Sequence, residues 1–208
     1  MIAIGAEKTA SGYEVALFNT ATHLYTVWNT DNSGSKTSTP VSSAAGSSTA
    51  LESLETSFHQ DLNGDGVMGV PTTVIEAVAS TKLVQVGSNY YLDDINSGTG
   101  PELKSGGAAV AAGGQSMIAI GAEKTASGYE VALFNTATHL YTIWNTDNSG
   151  NKVSTPISNA AGTSAALESL ETSFHQDLNN DGVMGVPAAV HDTMPNAHLV
   201  DLHAGFFL

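Results

Sequence analysis

The chain has 208 residues, enough to bury a hydrophobic core in one domain or two. Acidic residues outnumber basic ones 20 to 6, which argues against nucleic acid as a partner because phosphate recognition needs clustered basic side chains. The absence of cysteine excludes disulfides and thiolate metal sites, and neither a cleavable signal peptide nor a membrane span is predicted.

The first predicted elements are β-strands. Large apolar residues alternate with polar or small ones along Gly12–Phe18 and again along Thr22–Trp28, and a turn follows at 31–34. With flanking strands at Ile2–Lys8 and Lys36–Val41, this pattern predicts an antiparallel meander of three or four strands.

A helix follows the predicted meander and ends near Gln60. Ser48 or Thr49 is its predicted N-terminal cap. Leu51, Leu54, Phe58 and Leu62 recur at helical spacing, which predicts that one apolar face packs on the sheet.

The helix leads directly into a loop with the pattern of a calcium ligand set. Asp61, Asn63 and Asp65 place oxygen-bearing side chains at alternate positions, and Gly66 follows them. Val67 would offer its carbonyl oxygen at the seventh position of an EF-hand loop. The pattern therefore predicts a Ca²⁺ site.

Nearly the whole chain is an internal duplication with an offset of 116 residues. Up to Pro71 the copies differ at eight positions only, which are Val27/Ile143, Ser35/Asn151, Thr37/Val153, Val41/Ile157, Ser43/Asn159, Ser47/Thr163, Thr49/Ala165 and Gly64/Asn180. The second loop accordingly offers Asp177, Asn179, Asp181 and Val183 as ligands.

Beyond Pro71 the copies diverge, but the apolar pattern of 82–92 returns at 198–208. We therefore divide the chain into a first unit at 1–92, a connector at 93–116 and a second unit at 117–208. The connector is rich in Gly and Ser, and short strand-like pieces flank Gly106 and Gly107, so it is predicted to be an ordered hairpin. The predicted fold class is α+β, with two tandem meanders and one helix leading into a calcium loop in each.

The residues at 5–16, 25–31, 51–55 and 61–66 together resemble the tryptophan-rich repeat domain of cyanobacterial and alphaproteobacterial proteins. The segments 89–92, 100–104 and 106–107 are also similar to recurring elements of that family. The resemblance implies a secreted or surface protein associated with calcium through EF-hand-like or dockerin-like loops. The chain departs from the family where Leu17 and Leu133 stand in place of an expected tryptophan.

Each calcium loop lacks its usual final ligand. The twelfth position, normally a bidentate glutamate, is Thr72 in one copy and Ala188 in the other. Water or an acidic residue elsewhere must complete the coordination. The candidates present in both units are Glu52, Glu55 and Asp31, with their copies Glu168, Glu171 and Asp147, and the sequence does not choose among them.

The C-terminal residues 201–208 allow two interpretations. An acidic residue before a terminal apolar cluster resembles an uncleaved signal for type I secretion, whereas the same positions are first a repeat of the strand pattern at 85–92. If the hairpin at 81–92 belongs to the second unit, the tail could pair with the first unit or with another molecule.

We find no catalytic constellation, so an enzyme is not predicted. The expected function is a secreted or surface-associated calcium-binding repeat protein with a structural or interaction role. The alternative is a module that binds a surface polysaccharide or another ligand through an aromatic face formed by Trp28, Trp144, Tyr13, Tyr25 and the copies of the tyrosines.

Overall fold

The first repeat forms a four-stranded antiparallel sheet in the computed structural model, which describes residues 1–112 and 116–188. Its strands follow one another in space as in sequence and are β1 (Ile2–Lys8), β2 (Gly12–Asn19), β3 (Leu24–Asp31) and β4 (Lys36–Ala44). Helix α1 (Thr49–Phe58) then packs on one face of the sheet. The predicted meander and helix are both present, and the meander has four strands.

The register of β1, β2 and β3 assigns their side chains to two faces. Val15 pairs with Trp28 and Ala16 with Val27, so neighbouring pairs point to opposite faces. An irregularity between Ala3 and Gly5 leaves one residue of β1 unpaired. Ala3 and Ala6, which pair with Leu17 and Val15, therefore both lie on the face opposite the helix.

A layer of short strands follows the first repeat. Strands β5 (Thr72–Val78), β6 (Thr81–Val86) and β7 (Asn89–Asp94) form an antiparallel three-stranded sheet. The connector then forms a two-stranded hairpin of β8 (Lys104–Ser105) and β9 (Ala108–Ala109), turning at Gly106 and Gly107, which both have positive φ. Strand β5 had no counterpart among the predicted elements.

The second repeat rebuilds the same sheet and helix. Its strands are β10 (Met117–Lys124), β11 (Tyr129–Asn135), β12 (Leu140–Thr146) and β13 (Lys152–Ala160), and its helix is α2 (Ala165–Phe174). The irregularity of β1 recurs in β10 between Ala119 and Gly121. The structure is thus mostly β, with one helix in each repeat.

Each helix packs on its own sheet. In the first repeat Leu51, Phe58 and Leu62 pack with Ala16 and Val27, and Leu54 is partly buried beside them. The copies of these residues form an equivalent core in the second repeat. The apolar stripe predicted from helical spacing is therefore the face that contacts the sheet.

A third core joins the β5–β7 layer to the second repeat. Leu83, Tyr90, Leu92 and Leu103 pack against the face of β10 and β11 that is opposite α2. A hydrogen bond from the Lys104 N–H to the Gly150 carbonyl also ties the connector to the second repeat. The packing thus groups 81–112 with the sheet that follows it, whereas the sequence repeat groups 81–92 with the unit that precedes it.

Polar contacts accompany this third core. The buried Glu76 carboxylate accepts a hydrogen bond from the Ala122 N–H at 3.4 Å. Ser80 donates its hydroxyl to Glu123 at 3.1 Å. Strand β10 lies at the edge of its sheet, so these contacts cover an edge that would otherwise present backbone groups to solvent.

Within the residues that the structure describes, no helix is long and apolar enough to cross a membrane. The C-terminal segment 198–208, with its predicted strand pattern and secretion signal, lies outside the described residues.

Candidate metal centre

The loop at 61–67 is organised by its own acidic and amide side chains. Asp61 accepts hydrogen bonds from the Gly64 N–H at 2.7 Å and the Gly66 N–H at 2.8 Å. Asn63 accepts one from the Asp65 N–H at 2.9 Å, and Asp65 accepts one from the Val67 N–H at 2.8 Å. Three consecutive ligand candidates are thus each oriented by a backbone donor further along the loop.

The second loop repeats this arrangement. Asp177 accepts from the Gly182 N–H at 2.8 Å, and Asp181 accepts from the Val183 N–H at 2.8 Å. The one sequence difference between the loops, Gly64 against Asn180, falls where both residues have positive φ. Glycine and asparagine are the residue types that adopt this conformation most readily, so the exchange preserves the loop.

The amide group of Asn63 has a fixed orientation. Its nitrogen donates to the Gly46 carbonyl at 2.9 Å, before the helix, while its oxygen accepts from within the loop. Asn179 makes the same contact to Gly162 at 2.8 Å. The amide oxygen, which is the atom that a hard cation would bind, therefore points toward the loop in both repeats.

Glu55 anchors the loop to the helix. Its carboxylate is fully buried and accepts hydrogen bonds from the N–H groups of Leu62 at 2.9 Å, Asn63 at 3.3 Å and Gly69 at 3.0 Å. Glu171 does the same in the second repeat. Glu55 is four residues after Leu51, on the apolar stripe of the helix, which is the signal in the sequence that points to its burial.

Glu52 lies one helical turn before Glu55 and is only 3% exposed. One of its carboxylate oxygens is buried and has no hydrogen-bond partner among the described residues. Burial raises the pKa of the Glu52 carboxyl above its ordinary value, and the nearby carboxylates of Asp65 and Glu55 raise it further. Its copy Glu168 is also buried.

Asp31, the third acidic residue that could complete the site, is hydrogen-bonded within its own turn. Asp31 lies in the turn between β3 and β4 and accepts hydrogen bonds from Ser33 and Ser35. These hydrogen bonds, led by that of the Ser33 hydroxyl, lower the pKa of Asp31. Thr72, the residue at the twelfth loop position, starts β5 and pairs with Val86. Of the three candidates in the first repeat, Glu52 is thus the one with a buried carboxylate oxygen that has no hydrogen-bond partner.

Across residues 1–112 and 116–188, no group of three or more Asp, Glu or His side chains stands close enough together to hold a metal ion. Each loop instead combines two aspartates with an amide oxygen and a backbone carbonyl. Oxygen donors of this mixed kind suit Ca²⁺ better than a transition metal.

The aromatic residues do not share one surface. Tyr25 packs with the helix core, whereas Trp28 pairs with Val15 on the opposite face of the sheet. The ammonium of Lys36 lies 5.1 Å from the Trp28 ring centre, and that of Lys152 lies 4.7 Å from the Trp144 ring centre. Trp144 also lines a cavity of about 380 Å³ between the connector hairpin and the second sheet, together with Met117, Leu133 and Val110.

Two stretches of the chain, 2–69 and 81–185, match the family model described as the tryptophan-rich Synechocystis species C-terminal domain. The second match begins at β6 and runs through the loop at 177–183, and the first covers the sheet, helix and loop of the first repeat. No curated protein and no solved structure matches the chain.

Proposed function

The chain belongs to the tryptophan-rich Synechocystis species C-terminal domain family, and on that premise we propose that it is a calcium-binding tandem-repeat protein with a structural or interaction role. One observation carries the proposal. A loop with three alternating candidate oxygen ligands directly follows a helix that carries a buried glutamate, Glu52, with an oxygen that has no partner. A bound cation would satisfy that oxygen, which is costly to leave buried and unpaired.

The residues that would hold the ion come from the loop and from the helix before it. Asp61, Asn63 and Asp65 would supply side-chain oxygens and Val67 its carbonyl oxygen. Glu52 does not form a metal-binding group with the two aspartates in this structure, so its carboxylate would turn toward the ion on binding and take the role of the twelfth position of an EF-hand loop. The second site would use Asp177, Asn179, Asp181, Val183 and Glu168.

A divalent ion would relieve a local electrostatic cost. Glu52, Glu55 and Asp65 place three carboxylates in and around one loop, and the raised pKa of Glu52 reflects the repulsion among them as well as burial. Positive charge at this point favours the ionised carboxylates in the folded chain. Calcium binding should therefore stabilise the fold, because the unfolded chain lacks the assembled ligands.

The test compares melting with and without calcium. We expect calcium to raise the melting temperature of the intact protein and the paired variant Asp61→Ala with Asp177→Ala to lose the rise. The matched control is Asp31→Ala with Asp147→Ala, which removes two acidic turn residues outside the loops and should keep the rise. Calorimetric titration should give two ions per chain, and one for either single loop variant. An intact protein that melts at the same temperature with and without calcium would contradict the proposal.

We also propose that the protein acts outside the cell or at its surface. Calcium is abundant there and scarce in the cytosol, and the acidic, cysteine-free composition suits a chain exported unfolded by a type I route. Fusing residues 189–208 to a reporter in cells that carry a type I exporter tests this, and a reporter that stays inside the cell contradicts the route.

A second candidate function rests on the cavity beside Trp144. Its lining is mostly apolar, so it fits a small apolar ligand better than a polysaccharide. Replacing Trp28 by Phe leaves Trp144 as the only tryptophan, and its fluorescence then reports on this cavity alone. Apolar ligands that leave the emission of that variant unchanged at saturating concentration would remove this candidate.

A further inference from the structure

The same sheet face is covered in one repeat and exposed in the other. In the second repeat, Tyr129 is 7% exposed and Val131 is fully buried beneath the β5–β7 layer. In the first repeat, the equivalent Tyr13 is 39% exposed and Met1 is 62% exposed. Because the sequences of the two faces are the same, the difference comes only from what packs on them.

We call this surface the open face and define it by Met1, Ala3, Ala6, Tyr13, Val15, Leu17 and Trp28. Met1, Ala3, Ala6 and Tyr13 are exposed, Val15 and Trp28 are half-buried, and Leu17 is buried at 8% exposure. None of the eight differences between the copies falls on it. The equivalent residues in the second repeat include Ala119 and Ala122, which are 2% and 1% exposed. The open face therefore already has the shape and composition that accept a covering layer.

The covering layer combines strands β5–β7 with the connector, whose Leu103 and Ala112 are also buried in the shared core. We compare the tail with the β5–β7 part. Leu83, Tyr90 and Leu92 are buried in the shared core. Glu76 accepts a hydrogen bond from the N–H of Ala122, on the outer edge of β10. A segment that covers the open face should repeat these features.

The sequence contains a second segment with these features. At the offset of 116 residues, Leu199, Phe206 and Leu208 take the places of the three buried residues, and Asp192 takes the place of the acidic residue. The distance from the loop is also kept, because Gly69 precedes Leu83 by as many residues as Gly185 precedes Leu199. The described residues supply one covering layer for two equivalent sheets, and the sequence of 192–208 matches the 76–92 part of that layer, without a counterpart of the connector.

The position of the covering layer in the chain indicates which copy of the protein supplies the segment that covers the open face. The layer that follows the first loop packs on the sheet that comes after it in the chain, and not on the sheet before it. A segment that follows the second loop in the same way would pack on a sheet other than the one before it, and the described sheet that has a free equivalent face is that of the first repeat. We propose that residues 192–208 of one copy cover the open face of a second copy, which assembles the protein head to tail.

This contact joins two different surfaces, the open face of one copy and residues 192–208 of another. A linear assembly therefore has a free open face at one end and a free 192–208 segment at the other. The expected behaviour is a series of species that grows with protein concentration. Closure of the segment onto its own open face would instead give a monomer at every concentration.

The experiment uses full-length variants that each disable one side of the contact. Ala6→Lys places a charge on the open face, where the side chain is exposed and should not disturb folding. Leu199→Asp with Phe206→Asp removes the apolar residues of the segment. Val153→Lys, at a position 63% exposed and outside the open face, is the matched control. Circular dichroism shows whether each variant keeps its fold.

Light scattering coupled to size exclusion gives the readout, at several protein concentrations and one fixed calcium concentration. We expect the intact protein and the control to reach at least twice the monomer mass as concentration rises, and both disabling variants to stay monomeric. Mixed together, the two variants should form dimers and nothing larger, because only one intact contact remains. An intact protein that stays monomeric up to millimolar concentration, or disabling variants that assemble like the control, would overturn the proposal.

Discussion

Glu55 and Gly69 are separated by 14 residues in the chain, yet the buried Glu55 carboxylate accepts a hydrogen bond from the Gly69 N–H at 3.0 Å. The other oxygen of the same carboxylate accepts hydrogen bonds from the N–H groups of Leu62 and Asn63. One side chain of the helix thus holds both ends of the loop. Gly69 has φ +91 in this position, a conformation that favours glycine.

Substituting Glu55→Gln should destabilise the first repeat. Glutamine places an NH₂ donor where the carboxylate accepted backbone N–H groups, so at least one buried donor loses its partner. We expect a loss of about 1–3 kcal/mol in the free energy of unfolding. Denaturant unfolding followed by Trp28 fluorescence in a Trp144→Phe background measures it. The partly exposed Glu14→Gln should stay within about 0.5 kcal/mol, and an equal effect of both changes would contradict the anchoring role.

Glu52→Gln should leave the stability of the calcium-free protein unchanged or higher and should weaken calcium binding. Without calcium the variant should be at least as stable as the intact protein, because glutamine removes a buried carboxylate whose ionisation is already disfavoured. Calcium affinity at the first site should fall at least about tenfold, which is about 1.4 kcal/mol. Titration calorimetry in an Asp177→Ala background isolates that site. A variant with unchanged affinity would remove Glu52 from the ligand set.

Two equivalent glycines provide a matched pair for the contact between connector and second repeat. Both have positive φ, but a Cβ on Gly150 would lie 2.2 Å from the Glu102 carbonyl oxygen, whereas one on Gly34 would meet nothing within 4 Å. The backbone strain of an alanine is therefore shared, and the clash belongs to Gly150 alone. We expect Gly150→Ala to cost about 1–3 kcal/mol more than Gly34→Ala in thermal or denaturant unfolding. An equal loss of unfolding free energy in the two variants would mean that the connector does not contact the Gly150 turn in solution.

The buried Glu76 should make stability depend on pH. Burial raises its pKa above the ordinary glutamate value, hydrogen bonds from the Val78 and Ala122 N–H groups lower it, and the Glu123 carboxylate raises it again, with a net increase. The folded chain therefore holds this proton more tightly than the unfolded chain. The stability contributed by the protonated group is complete at low pH and is lost as pH rises through the folded pKa.

Glu76→Gln removes this titration. Relative to the variant, the intact protein should lose unfolding free energy as pH rises from roughly 4 toward neutrality. The difference in slope is the observable, because it does not depend on any constant cost of the substitution. Glu14→Gln serves as the control and should follow the intact protein. Parallel curves for the intact protein and Glu76→Gln would refute the assignment.

Local patterns were sufficient to predict the sheet and helix of each repeat. The strand alternation at 12–18 and 22–28 corresponds to β2 and β3, and the turn glycines 106 and 107 lie between β8 and β9. These signals are short-range, because side-chain alternation and turn conformation are encoded by neighbouring residues. The grouping of Asp61, Asn63 and Asp65 in one hydrogen-bonded turn follows from the same short-range pattern, and their binding of Ca²⁺ stays a prediction.

Long-range relationships were not predictable in this way. The sequence repeat groups 82–92 with the first unit, but the buried contacts of Leu83 and Leu92 are with the second sheet. Local periodicity gives the buried side of a strand and does not identify its partner. Similarly, helical spacing places Glu55 on the apolar stripe, but only the packing of the loop shows which backbone N–H groups its buried carboxylate accepts.

Strands β10 and β11 carry buried side chains on both of their faces, since Val131 and Leu133 pack under the β5–β7 layer while Ala132 packs under α2. Strands β1 and β2 pack under α1 on one side, and on the other side Ala3, Ala6 and Tyr13 are exposed although Leu17 is buried. Backbone amides in the two copies should therefore exchange with deuterium at different rates, slowest in β11 and faster in β2, although the two strands have the same sequence. Peptides from the two repeats have different masses wherever they span one of the eight differing positions, so mass spectrometry tells them apart. A single exchange experiment therefore compares the same strand sequence in the first sheet and in the second, covered sheet.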